Sequence, residues 1–176
     1  MLEIHQKILE ISNKNEEKFL REKTKPFDFA KFKREEIKDL IKKMRVVMQQ
    51  ADGIGLSANQ IGLPYRFFVA QVPDTNGHFK FYAIFNPEII KTFDEKEELE
   101  EGCLSVPQTF GLVERNYKII LSGQDAFGKN FKIKAWGLLA RVFQHEVDHL
   151  NGVLFIDKAK NLYNIKDFEQ ENQYKI

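Results

Sequence analysis

Apolar residues recur at helical spacing in two stretches of the chain. The first stretch covers residues 33–50, where apolar positions follow i, i+3, i+4 and i+7 spacing and lysines occupy the other face. The second covers residues 138–150 and ends at Asn151-Gly152, a pair that is typical of a helix C-terminus. A shorter helix is predicted to begin at an Asn15 cap and to run to about Arg21.

Alternating apolar and polar residues predict β-strands between and beyond these helices. The predicted strands are residues 65–72, 78–85, 111–122, 131–136 and 153–156. We expect the acidic stretch 94–101 to be a solvated loop or strand edge, and the polar tail from residue 157 fits either a terminal helix or a frayed end. The pattern therefore predicts a single α+β domain over residues 1–176, in which antiparallel or mixed sheets pack around the second helix.

Composition places the chain among ordinary globular proteins. Its 176 residues are 43% hydrophobic and 30% charged, and the formal net charge is +1. A net charge so close to zero gives no general attraction to nucleic acid or to an anionic membrane surface. The apolar runs are too short to span a bilayer, and residues 1–6 lack the apolar segment of a secretory signal. The single cysteine, Cys103, excludes an internal disulfide, and these features together predict a cytoplasmic protein.

A short polar sequence inside the second helix carries the clearest chemical signal. His145 and His149 are four residues apart, so on a helix their imidazoles lie on one face and can bind the same metal ion. Glu146 is next to His145, where a carboxylate can act as the general base of a metal hydrolase. The alternative is an ordinary charged helix, but chance produces His-Glu-x-x-His in a chain of this length only about once in a hundred.

A catalytic metal site needs a third protein ligand, and Cys103 is the natural candidate. One thiolate and two imidazoles leave one coordination position open, as catalytic sites require. A rival hypothesis makes Cys103 a nucleophile with His145 or His149 as its base, although Glu146 then has no role. Two further hypotheses stay open. One is a zinc metallopeptidase that shares the His-Glu-x-x-His motif, and the other is a catalytically silent protein that binds peptides or senses redox state through Cys103.

Three stretches of the chain, taken together, resemble a known family. They are Gly-Ile-Gly-Leu-Ser-Ala-Asn-Gln at residues 53–60, Glu-Gly-Cys-Leu-Ser at residues 101–105 and His-Glu-Val-Asp-His at residues 145–149. In order and rough spacing they are similar to the three signature motifs of peptide deformylases, and a looser similarity runs from about residue 8 to about residue 157. These enzymes remove the formyl group from the N-terminal formyl-methionine of newly made polypeptides and release formate.

The resemblance implies a role for each motif residue. The ligands of one divalent metal ion would be Cys103, His145 and His149. The ion is most commonly Fe²⁺ in this family, with Zn²⁺ and Ni²⁺ as alternatives. Glu146 would be the catalytic acid and base. The side-chain amide of Gln60 and the backbone N–H of Leu104 would hydrogen-bond the oxyanion.

The resemblance also implies where the substrate lies. Ile54 and Gly55 would present their backbone to a peptide that lies like an added strand. The side chains expected around the methionine are Leu99, Leu138, Val142 and the ring of His145. By the same resemblance, the binding partners are nascent formylated peptides, which the protein would bind at the ribosome in the cytoplasm.

Some positions depart from the family pattern or add to it. Ser57 replaces the usual alanine of the first motif, and a hydroxyl there needs a hydrogen-bond partner if it is buried. Phe110 stands where some relatives carry an arginine near the peptide. Asp52 and Arg115 are expected to form an ion pair. Asp148 is expected to have a structural role rather than to bind metal.

Overall fold

Three α-helices and two antiparallel sheets form the part of the chain that the structure describes. The structure is a computed structural model and describes residues 7–74 and 76–166, so residues 1–6 and the end of the polar tail lie outside it. The helices are α1 (Lys14–Leu20), α2 (Arg34–Gln50) and α3 (Gly137–Leu150). The two long helices are therefore confirmed. No helix in these two ranges is long and apolar enough to cross a membrane.

The strands belong to a larger and a smaller sheet. In chain order they are β1 (Gly55–Ser57), β2 (Phe67–Pro73), β3 (Phe79–Thr92), β4 (Lys96–Cys103), β5 (Val106–Asn116), β6 (Lys118–Gln124), β7 (Asn130–Trp136) and β8 (Lys160–Asn164). The larger sheet has the order β1-β2-β3-β6-β7 and the smaller has the order β4-β5-β8. All neighbouring strands are antiparallel, and the predicted α+β class is confirmed.

The larger sheet is covered on both faces, which explains why its second strand is so apolar. Side chains alternate across a strand, so Phe67 and Val69 of β2 share one core cluster with Met44 of α2. Phe68 faces the other way and lies against Phe143 of α3, with ring centroids 5.5 Å apart. Helix α3 also contacts β5 of the smaller sheet. It therefore lies in the interior of the protein, as predicted.

The chain crosses from the smaller sheet to the larger sheet at Tyr117. The sequence predicts a single strand over residues 111–122, and this prediction is wrong, because β5 ends at Asn116 and β6 begins at Lys118 in the other sheet. The side-chain amide of Gln144 on α3 accepts from the backbone N–H of Asn116 at 3.2 Å and donates to its carbonyl at 2.8 Å. These contacts come from a distant helix, so the alternation of residues does not reveal the break.

Shorter elements also differ from the prediction. Residues 153–156 do not form a strand; they lead into a 3-10 helix at Phe155–Asp157, and the tail after it supplies β8. A short apolar run fits a buried helical turn as well as a strand. Asn13 rather than Asn15 caps α1, because the Asn13 side chain accepts the N–H groups of Asn15 and Glu16. Most of the acidic stretch pairs with β5 as strand β4.

Gly152 follows the end of α3 with a left-handed backbone that leaves no room for a side chain. Its φ is +76°, and a Cβ atom there would lie 2.2 Å from the backbone oxygen of Arg21. We expect Gly152→Ala to lower the free energy of unfolding by about 3 kcal/mol, measured by urea denaturation. Gly77→Ala is the matched control, since Gly77 has φ +80° but no atom within 4 Å of an added Cβ. Gly77→Ala should lower the free energy of unfolding only by the backbone cost of about 1 kcal/mol. If both variants lost the same free energy of unfolding, the proposed clash at Gly152 would be wrong.

Candidate metal centre

The end of β4 and one face of α3 meet and bring three potential metal ligands together. Cys103 is the last residue of β4, and His145 and His149 are one helical turn apart on α3. The Sγ atom of Cys103 is 3.1 Å from Nε2 of His149, and the Nε2 atoms of the two histidines are 3.2 Å apart. All three donor atoms lie within 4.8 Å of one another.

This donor set fits a single divalent metal ion. A tetrahedral ion bound by nitrogen and sulfur at ordinary bond lengths holds its donors about 3.3–3.6 Å apart, close to the spacing found here. The Nδ1 atom of His145 is 3.0 Å from Oε2 of Glu101, so the carboxylate fixes the ring and leaves Nε2 for the metal. The Nδ1 atom of His149 is buried and has no hydrogen-bond partner in the described residues.

The protonation of the two histidines differs. Burial, together with the charge on His145, lowers the pKa of His149 well below its ordinary value, so this ring is neutral, as a metal ligand must be. Burial also disfavours a proton on His145. Its hydrogen bonds to Cys103 and Glu101 outweigh that effect and raise the pKa of His145 to about 10. Metal binding at this site therefore has to displace a proton.

Glu101 is the centre of a buried ionic network that ties β4, β5 and α3 together. Arg115 donates two hydrogen bonds to its carboxylate at 2.6 and 2.8 Å, and Arg141 donates a third at 2.7 Å. None of these three side chains is more than 8% exposed. Burial opposes ionisation, but the hydrogen bonds from Arg115 and His145 hold the pKa of Glu101 far below its ordinary value. The carboxylate is therefore charged and fixed, and it orients His145 in turn.

The predicted ion pair between Asp52 and Arg115 is wrong. The remaining nitrogen of the Arg115 guanidinium, Nη1, donates to Asp148 at 2.7 Å, so Glu101 and Asp148 together use all three of its nitrogens. Asp52 lies in the turn after α2 with φ 53° and forms no ion pair within the described ranges. Asp148 also accepts a hydrogen bond from Lys158 at 2.6 Å and lies outside the group of three donors, which agrees with its expected structural role.

Glu146 is buried beside the three donors. Its Oε2 accepts a hydrogen bond from the Ser57 hydroxyl at 2.7 Å, so the buried hydroxyl of Ser57 has the partner that it requires. A Cβ atom on residue 55 would come within 2.2 Å of Glu146 Oε1, so glycine here leaves the carboxylate in its present position. Burial raises the pKa of Glu146 to about 6, against the opposing effects of the charge on His145 and the hydrogen bond from Ser57. A carboxyl group with such a pKa can accept and release a proton near neutral pH.

The side-chain amide of Gln60 is held in one orientation. Its Oε1 accepts the backbone N–H of Ser57 at 2.9 Å, so its Nε2 faces Ser105 Oγ at 3.1 Å and Cys103 Sγ at 3.7 Å. The N–H of Leu104 lies in the tight turn between β4 and β5 and has no hydrogen-bond partner among residues 7–74 and 76–166. The amide and the N–H both adjoin Cys103, and such donors are what an oxyanion requires.

Two backbone hydrogen bonds tie the N-terminal segment to the site. The N–H of Leu9 donates to the carbonyl of Gln60 at 2.8 Å, and the N–H of Ile11 donates to the carbonyl of Ser105 at 3.0 Å. Sequence reasoning missed this segment because backbone hydrogen bonds leave no side-chain signature. It also missed the role of Arg141, although a charged residue one turn before the first histidine of α3 is a detectable signal.

A cavity of about 520 Å³ opens beside the donor cluster, within the usual range of small-ligand sites. Most of the residues that were expected to contact the substrate line this cavity: Ile54, Gly55, Leu138, Val142 and His145. Leu99 does not line the cavity, and its side chain is exposed. Phe110 is part of the cavity wall and stacks on Tyr163, with ring centroids 5.9 Å apart.

Comparison with known proteins agrees with this geometry. Residues 6–164 match the family model described as polypeptide deformylase. A peptide deformylase of Halothermothrix orenii is 48% identical over 120 residues, which cover 68% of this chain and 75% of the relative. The crystal structure of peptide deformylase from Thermotoga maritima matches with a TM-score of 0.76 at 39% identity, covering 88% of this chain and 97% of that one. A Met-Ala-Ser-bound structure of peptide deformylase from Acinetobacter baumannii matches with a TM-score of 0.77 at 28% identity, covering 86% and 96%.

Removing the charge of Glu101 should weaken both the fold and the metal site. We expect Glu101→Gln to lower the free energy of unfolding by about 3–5 kcal/mol, because the buried Arg141 loses its carboxylate partner and the buried Arg115 keeps only Asp148. Metal affinity should fall about 10–100-fold, since His145 loses its carboxylate partner. Urea denaturation measures the first effect, and titration against a competing chelator measures the second.

Glu98→Gln on the same strand is the control for this prediction. The Glu98 carboxylate is 3.1 Å from Lys160 Nζ in an exposed pair. Losing that pair should change the free energy of unfolding by less than about 1 kcal/mol. If Glu101→Gln lowered the free energy of unfolding no more than Glu98→Gln does, the ionic network around Glu101 would not stabilise the protein.

Proposed function

Because the chain belongs to the peptide deformylase family, we propose that the cavity beside α3 is its active site. The enzyme hydrolyses the formyl group of N-terminal formyl-methionine on newly made polypeptides and releases formate. The observation that carries the proposal is the grouping of Cys103, His145 and His149, whose donor atoms lie within 4.8 Å of one another, with the buried Glu146 beside them.

We propose Cys103, His145 and His149 as the ligands of one divalent metal ion, on which this family depends. When bound, the ion polarises the formyl carbonyl and makes water a better nucleophile. Fe²⁺ is the proposed native ion by resemblance, although sulfur and imidazole ligands also suit Zn²⁺ and Ni²⁺. The Cys103 thiolate neutralises one of the ion's two charges, which leaves more of the activation of water to Glu146.

Glu146 is proposed as the general base and then the general acid. Its carboxylate takes a proton from the attacking water and delivers it to the nitrogen of the leaving amine. Two features support this role: the pKa of about 6 that burial gives to Glu146, and the position of Glu146 in the wall of the cavity.

Gln60 and Leu104 are proposed to stabilise the oxyanion that forms as the formyl carbonyl is attacked. The donors would be the Nε2 group of Gln60 and the backbone N–H of Leu104. The Ser57 N–H fixes the orientation of the Gln60 amide, so its Nε2 group points toward Cys103. One such donor is typically worth about 10²–10³ in rate.

The outer edge of β1 is proposed to bind the peptide. In the described residues β1 pairs only with β2, so its other edge is open to an added strand. Gly55 of this strand and Ile54, which precedes it, line the cavity. The relative whose structure is Met-Ala-Ser-bound supports a short peptide as the ligand. The proposed methionine pocket is formed by Leu138, Val142 and the ring of His145, without Leu99.

We propose that residues 1–176 act as one catalytic domain in the cytoplasm, on nascent formylated peptides at the ribosome. The family match over residues 6–164 supports a single unit. Cys103 is a free cysteine, and a thiol that must stay available for a metal suits a reducing compartment. The net charge of +1 gives no reason to add a nucleic-acid or membrane partner.

Replacement of Glu146 tests its proposed role. Glu146→Gln keeps the size of the side chain but cannot carry the proton, so formate release from formyl-Met-Ala-Ser should fall about 10²–10⁴-fold. Metal content, measured by elemental analysis, should not change. Glu98→Gln is the control and should keep full activity. Full activity in Glu146→Gln would remove Glu146 from the mechanism, and cleavage of unformylated peptides by the wild type would favour a metallopeptidase instead.

Replacement of Cys103 tests the ligand set. Cys103→Ser removes the thiolate, so we expect metal affinity to fall by more than about 100-fold under anaerobic conditions. Elemental analysis after dialysis against a weak chelator measures the loss, with Glu146→Gln as the comparison that retains metal. Equal metal content in the two variants would show that Cys103 is not a ligand.

A further inference from the structure

Ser57 makes hydrogen bonds with two different groups of the site. The residue is fully buried in β1. Its hydroxyl is 2.7 Å from Oε2 of Glu146, and its backbone N–H is 2.9 Å from Oε1 of Gln60. One residue therefore contacts both side chains to which the proposed function assigns catalysis.

The proton of the Ser57 hydroxyl goes to the carboxylate of Glu146. The Oγ atom is also 3.0 Å from the backbone carbonyl oxygen of Glu146. A serine hydroxyl has one proton, however, and a charged carboxylate at the shorter distance is the stronger acceptor. The contact is therefore a charge-assisted hydrogen bond to the side chain rather than a simple anchor for the helix.

Ser57 is the sole hydrogen-bond donor to the Glu146 side chain within the described part of the chain. The other oxygen of the carboxylate, Oε1, lies against Gly55, which has no side chain to bond it. We propose that Ser57 is a positioning residue, whose hydroxyl fixes the Glu146 carboxylate for proton transfer while its N–H fixes the amide of Gln60. This inference rests on the proposed function, because it takes Glu146 as the proton carrier.

The two contacts of Ser57 can be separated by mutation. Alanine at position 57 keeps the backbone N–H for Gln60 but has no hydroxyl for Glu146. Ser57→Ala therefore removes the contact with Glu146 and keeps the contact with Gln60. Removal of the hydroxyl should reduce the rate of proton transfer without abolishing the reaction or the binding of the peptide.

The test compares the metal-loaded, full-length enzyme with Ser57→Ala and Ser57→Thr, using formyl-Met-Ala-Ser as the substrate. We expect kcat of Ser57→Ala to fall about tenfold with KM changed less than about twofold, since a hydrogen bond to a charged group is lost. Ser57→Thr keeps a hydroxyl and should recover most of kcat. A crystal structure of metal-loaded Ser57→Ala should show the Glu146 carboxylate in more than one orientation, against a single one in the wild type.

Thr24→Val is the matched control, because it also removes a buried hydroxyl that bonds to α3. The Thr24 hydroxyl donates to the carbonyl of Leu150 at 2.8 Å, and Thr24 does not line the cavity. This variant should melt at a lower temperature but keep kcat. An unchanged kcat in Ser57→Ala would overturn the inference. So would a failure of Ser57→Ala to fold, a loss of activity explained by lost metal, or an equal loss in Thr24→Val.

Two activity measurements distinguish an error in this inference from an error in the proposed function. If Glu146→Gln kept full activity, the proposed role of Glu146 would fall and the inference with it. If Glu146→Gln were inactive and Ser57→Ala were as fast as the wild type, only the positioning role of Ser57 would fall.

Discussion

The carboxylate of Glu101 is the group on which the arrangement of the three potential metal ligands depends. It joins Arg115 of β5 with Arg141 and His145 of α3, and all of these groups are buried or nearly so. Buried charges stabilise a structure only when every partner is present. Strand β4 continues for two residues beyond Glu101 to Cys103, so the contact that neutralises the arginines also places the thiol against the histidines. The three proposed ligands are thus positioned by an ionic network that is built around Glu101.

The larger sheet supplies the groups on the other side of the cavity. Its first strand carries Gly55 and Ser57, and Gln60 follows in a short 3-10 helix. Strand β2, next to β1, is buried between α2 and α3, so β1 is supported by a strand that is packed on both faces. Proton transfer and oxyanion stabilisation both need side chains held to within about 0.5 Å. A short strand beside a fully packed one meets that need better than a free loop.

Local patterns in the sequence predicted the helices and the histidine pair, because both depend on residues three or four positions apart. Contacts between distant residues were not predictable in the same way. The crossing at Tyr117 depends on a helix that follows it in the chain, and Arg115 is paired with Glu101 and Asp148 instead of Asp52. Leu99 is adjacent in sequence to the second motif but lies outside the cavity lining. The kinds of residue at the site could be predicted, while the network that orients them required the three-dimensional structure.

The backbone contacts of the N-terminal segment have a consequence for how the protein folds while it is being synthesised. The carbonyls of Gln60 and Ser105, which bind the N–H groups of Leu9 and Ile11, leave the ribosome well after that segment, and His149 leaves it later still. Folding during synthesis proceeds from the N-terminus. The segment therefore cannot form these two hydrogen bonds until Gln60 and then Ser105 have been synthesised. The three donors cannot meet until α3 has been translated. An enzyme that acts on the first residue of other growing chains is therefore itself without activity until most of its own chain has been made.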